Sequence, residues 1–146
     1  MNVPQINTRK LLYLAPIAGL VAATLNVLLF QVGTATGAIP GDVIIPQAGQ
    51  PLSVIPVITS SVMPALLGGV LLALLNRFTK QPLRIFTIIT LILFALAIAP
   101  PLGIPGAPTS MMLLLEAMHV VVVAVVLFVF NRYARFRNRP ARAGGL

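Results

Sequence analysis

Four predominantly apolar stretches constrain this chain more than any other feature. They run from about Leu11 to Phe30, Val57 to Asn76, Leu83 to Ala99 and Ser110 to Phe130. A helix needs about 20 apolar residues to cross roughly 30 Å of hydrocarbon, and each stretch meets or approaches that length. The third is the shortest, and Pro100-Pro101 is expected to end it. The fourth is rich in valine, a mediocre helix former in water. Inside lipid the backbone must bond to itself, so the helix is favoured regardless. Composition agrees. Of 146 residues, 58% are hydrophobic and 8% charged, against about 25% charged in a soluble domain. Too few polar side chains exist to cover a water-facing surface. The expectation is an all-α membrane protein: an antiparallel bundle of four transmembrane helices, forming a single integral membrane domain over 1–146.

The basic residues orient it. Arg9 and Lys10 precede the first span, Arg77, Lys80 and Arg84 join the second to the third, and Arg132, Arg135, Arg137, Arg139 and Arg142 follow the fourth. With four crossings all ten fall on one side. The positive-inside rule puts that side, with both termini and a basic tail over 131–146, in the cytoplasm. The membrane is then the plasma membrane, or cell inner membrane. An odd number of spans would scatter the charges. The competing reading of the first span is a signal peptide cut near Thr36-Gly37-Ala38, but its apolar stretch exceeds the usual 7–15 residues.

The first outer loop, from Gln31 to Pro56, holds two β-prone runs, Val43-Ile45 and Leu52-Ile55, around the turn-forming Pro46-Gln47-Ala48-Gly49-Gln50-Pro51. A small extracytoplasmic β-hairpin, or an irregular loop, is expected there. The second outer loop, PPLGIPGAPTS, is stiff with proline, and Thr109 or Ser110 is expected to cap the last span.

Small residues recur every fourth position in two spans: Ala15, Gly19 and Ala23 in the first, and Ser61, Ala65, Gly69 and Ala73 in the second. Such stripes let helix backbones approach closely in lipid, so these two spans are expected to pack through them. Pro64 lies inside the second span and frees the carbonyl of Ser60, which predicts a kink. Ser60 or Ser61 could then re-satisfy the backbone.

Polar groups within a bilayer are costly and call for a reason. Glu116 and His119, three residues apart, share a helix face. They lie about 9 and 13 Å below the outer end of the last span. Asn26, Ser60 and Ser61 come to similar depth, so the five residues are expected to form one intramembrane polar cluster. Its bland reading is a Glu116–His119 or Glu116–Asn26 hydrogen bond that joins helices. Its functional reading is a proton or cation site, or a polar ligand pocket.

Metal and catalytic chemistry find little support. Glu-x-x-His resembles half of a di-iron motif, but such bundles need several carboxylates and a second motif. Met111, Met112 and Met118 could offer thioethers to copper beside His119, and a lone His can ligate haem or chlorophyll, but neither has a supporting signature. No cofactor and no metal are expected. Cysteine is absent, and no GxSxG, HExxH or paired Asp occurs, so no catalytic residue is assigned and the chain is not read as an enzyme. The tail interleaves five arginines with Tyr133 and Phe136. That suits anionic lipid headgroups on the cytoplasmic face rather than nucleic acid.

The segment VITSSVMPALLGGVLLALLNRFTKQPLRIF, the Pro-rich loop and LLLEAMHVVVVAVVLF occur in that order, with Met118-His119 early in the last span. In these the chain resembles a family of small bacterial four-helix membrane proteins catalogued only as a domain of unknown function. The resemblance covers nearly the whole chain. It implies the four-helix fold and no activity. The functional expectation is a non-catalytic accessory or scaffold subunit, partnered by other membrane subunits or by itself. The rival is a small transporter or proton-coupled carrier using Glu116 and His119.

Overall fold

In the computed structural model, which describes residues 6–46 and 48–134, four helices are long and apolar enough to cross a membrane. The chain is a multi-pass, all-α membrane protein. Helix α1 spans Thr8–Ala35, a hairpin of β1 (Ile44–Ile45) and β2 (Gln50–Pro51) follows, and α2 spans Val54–Phe78. Helix α3 (Pro82–Ala97) runs into a short turn of helix, α4 (Ala99–Leu102), and α5 spans Thr109–Tyr133. Neighbours around the bundle are α1 with α2, α2 with α3, α3 with α5, and α5 with α1, and every pair is antiparallel. Helices α2 and α5 also touch across the middle, whereas α1 and α3 share no contact among the described residues. The α1–α2 interface is the most extensive and α3 is the most lightly packed span.

The helices outrun the apolar stretches by two to five residues at most ends, because a helix of 25 residues is about 37 Å long and its ends project beyond the hydrocarbon. Pro100 and Pro101 do not stop the third span as expected. They open α4, where a residue without an N–H is tolerated because first-turn amides have no helical partner. The last span is not capped by Thr109 or Ser110. Pro108, with φ −69° and ψ 153°, is the cap position and bears no side-chain cap. Its carbonyl receives the amides of Met111 and Met112 at 3.0 and 3.2 Å, and the Ser110 hydroxyl instead donates to the Ala38 carbonyl across the far end at 3.4 Å.

The hairpin is real but placed differently from the second β-prone run. Ile44 faces Pro51 and Ile45 faces Gln50, and Gly49, at φ +64°, turns the chain. Val54 and Ile55 begin α2 instead of a strand. Pro56 falls in the first turn of that helix, where its missing donor matters little. At the top of α1, Gly37 at φ +73° folds the chain back so that Ile39 donates to the Gly33 carbonyl at 2.9 Å.

Two apolar clusters fill the bundle. One, with Leu11, Ala15, Leu72, Phe86 and Phe130, lies toward the end that carries Arg9, Lys10, Arg77, Lys80, Arg84 and Arg132, termed here the basic end. The Phe86 and Phe130 rings meet there at 5.5 Å, tilted by 46°. The other, with Phe30, Val43, Val57, Ile104 and Met111, lies at the far end under the hairpin. At the basic end the chain is tied together by Asn7, whose amide donates to the Ala134 carbonyl at 2.9 Å, and by Asn76, whose Nδ2 donates to the Ile6 carbonyl at 3.3 Å.

Candidate functional site

The small residues do bring α1 and α2 together. A side-chain carbon added to Gly19 would lie 3.1 Å from the Val62 backbone and 3.4 Å from Ala65. One added to Gly69 would lie 2.7 Å from the Ala15 Cβ. Ala23, Ser61 and Ala65 are buried and Ala73 is half-buried. Ala18 and Ala22, which the every-fourth-residue pattern omits, are wholly buried. The proper pattern is therefore pairs at positions i and i+4 alternating with i+3, the full width of a helix face.

A polar layer lies between the two apolar clusters. Asn26, fully buried on α1, donates from Nδ2 to the Ser61 hydroxyl of α2 at 2.9 Å and to the Met118 carbonyl of α5 at 3.1 Å. The Met118 carbonyl can only accept, which fixes the amide orientation. Ser61 passes the chain on, donating to the Val57 carbonyl at 2.7 Å. One asparagine thus joins three helices.

The rest of the expected cluster is not joined to it. Ser60 donates to the Val57 carbonyl at 3.2 Å and does not reach Asn26. Contrary to the expectation from the sequence, neither serine bonds the carbonyl freed by Pro64; both hydroxyls converge on Val57. Glu116 bonds neither His119 nor Asn26. For Asn26 the reason is azimuthal: Asn26 faces Met118, and residues two apart on a helix point about 160° away from each other. The Oε1 of Glu116 and the Oδ1 of Asn26 are buried without a hydrogen-bond partner among the described residues. His119 turns back on its own helix, with Nδ1 2.8 Å from the Leu115 carbonyl. Since a carbonyl only accepts, Nδ1 carries the proton, and in the neutral ring Nε2 is a free acceptor.

His119 lines a feature the sequence did not signal. A groove of about 440 Å³ runs between α2, α3 and α5. Its walls include Ser60, Leu67, Phe86, Thr90, Leu93 and His119, and are otherwise almost wholly apolar. It exists because α3 packs lightly on its neighbours. Leu67 and Leu93, 62% and 57% exposed, stand at its mouth, which therefore opens sideways toward lipid.

Of the tail arginines only Arg132 lies within the described residues, its guanidinium 5.9 Å from the Tyr133 ring centroid. Arg135, Arg137, Arg139 and Arg142 lie outside them. Among the described residues, no group of three His, Asp or Glu side chains could hold a metal ion.

A model described as "Family of unknown function (DUF6069)" matches residues 6–136, nearly the whole chain. No curated protein and no solved structure matches it.

Proposed function

The chain belongs to the DUF6069 family, and we propose that it serves as a non-catalytic accessory or scaffold subunit of a membrane assembly. The observation that supports this best is the use made of its buried polar groups. Asn26 and Ser61 spend their donors on fastening α1, α2 and α5 together, and Ser60 and His119 bond their own helices. A carrier instead keeps ionisable groups and broken backbone facing one another along a path. Here the one intramembrane acid, Glu116, does not engage the one histidine. The membrane in this reading is the plasma membrane, with the basic end and both termini in the cytoplasm, as the gathering of basic residues at one end favours. The tail arginines then lie against anionic headgroups.

Purification from native membranes in a mild detergent tests the role. Co-purification with other membrane proteins in fixed stoichiometry is the expected result. The carrier reading predicts instead pH-driven proton uptake in liposomes that Glu116→Gln abolishes while folding is retained; that outcome would overturn the scaffold role.

A further inference from the structure

We propose that the groove between α2, α3 and α5 is a binding site for a slender amphiphile drawn from the lipid phase, with an apolar body and a hydroxyl at one end. This goes beyond the scaffold role and does not depend on it.

Three observations converge. The first is hydrogen bonding. Away from the helix ends, the serine and threonine side chains bond their own helices: Thr24, Thr59 and Thr87 donate to the carbonyls of Leu20, Ile55 and Leu83, and the two serines to Val57. Thr90 breaks the pattern. It has no hydrogen bond among the described residues, and it lines the groove. His119 lines it too, with Nδ1 already committed to Leu115 and Nε2 unpaired. Unpaired polar groups facing a lipid-filled space are costly, and both of these face one groove.

The second is polarity along its length. Ser60 and His119 lie toward the far end of the bundle, and the wall from Leu67 down to Phe86 and Val126 is apolar apart from Thr90. A ligand with its polar head at His119 and its body pointing to the basic end matches that gradient. Nε2, as an acceptor, selects a head that donates: a hydroxyl, not an ether or ester.

The third is size. The wall residues from Ser60 to Leu71 and from Phe86 to Ala97 extend about 16 Å along the helices. That length suits a single extended chain or a narrow ring, and the volume of about 440 Å³ lies within the range of small-molecule sites.

The test uses the full chain in nanodiscs and a hexadecanol carrying a photoactivatable diazirine in its chain. Labelling should map to α2, α3 and α5 around Leu67 and Leu93. Unlabelled hexadecanol should compete about 3- to 10-fold better than its methyl ether, the factor one hydrogen bond within a membrane supplies. His119→Leu should erase that alcohol-over-ether preference, and Val123→Phe, which fills the groove, should reduce labelling there to the level of the lipid-facing α1 residues Leu20 and Leu28. Organic extracts of protein purified from its own membrane tell an endogenous amphiphile from one that arrives from outside. Equal competition by alcohol and ether in the wild type would make the groove a bed for bulk acyl chains and overturn the proposal. So would a haem or chlorin absorbance lost in His119→Leu. Because the chain has no cysteine, Leu93→Cys offers a clean third check: efficient disulfide dimers would show a second copy at the groove and also overturn it.

Discussion

Asn26 is the residue on which three helices converge. In lipid, hydrogen bonds between helices average about 0.6 kcal/mol and reach about 1.7 kcal/mol. Asn26 makes two of them, to Ser61 and Met118. Asn26→Ala should therefore lower stability by about 1–3 kcal/mol, read as thermal unfolding in detergent, whereas Ser60→Ala, which loses only a bond within its own helix, should stay within about 0.5 kcal/mol. Equal losses would show that Asn26 is not the clamp. Glu116 is the opposite case. Its buried Oε1 has no donor, so Glu116→Leu removes an unsatisfied acceptor and should leave the melting temperature unchanged or raise it. A clear fall would reveal a partner that fastens Glu116 in place. Depth along the helix was legible in the sequence and brought Asn26 and Ser61 to one level. Azimuth was not, because one residue of rotation is about 100°. That is why Glu116, at the right height, sits away from Asn26.

At the scale of elements, the closest approach is that of α1 to α2. Gly69→Ala would place a methyl 2.7 Å from the Ala15 Cβ, and overpacking of this kind costs about 1–3 kcal/mol. Gly41→Ala, in the loop before the hairpin, meets nothing within 4 Å and should be silent in the same melting experiment. The stripe that holds Gly69 could be read from the sequence because small side chains at every fourth position have few other uses in lipid. The ends of the elements could not. Val54 and Ile55 look like a strand by β-propensity, yet they start α2, since a backbone entering lipid must bond within its own segment. Pro100 and Pro101 look like a stop, yet they occupy the first turn of α4, where proline fits. The groove had no signal at all. It arises from how loosely α3 leans on its neighbours, a property of three helices together.

For the whole molecule, the arrangement stands or falls with α3. It has the smallest buried share of the four spans, and it is flanked by a basic connection on one side and the proline-rich loop on the other. If α3 crosses, all ten basic residues lie on one side. If it does not, the last span runs the other way and the five tail arginines are left outside, against the charge rule. A chain without cysteine allows a direct measurement: single cysteines at Gly41, Lys80 and Gly103, labelled in intact cells with a membrane-impermeant maleimide. The account predicts labelling of the Gly41 and Gly103 variants from outside, and of the Lys80 variant only after the membrane is opened. Protection of the Gly103 variant in intact cells, with labelling only after lysis, would contradict the four-span arrangement.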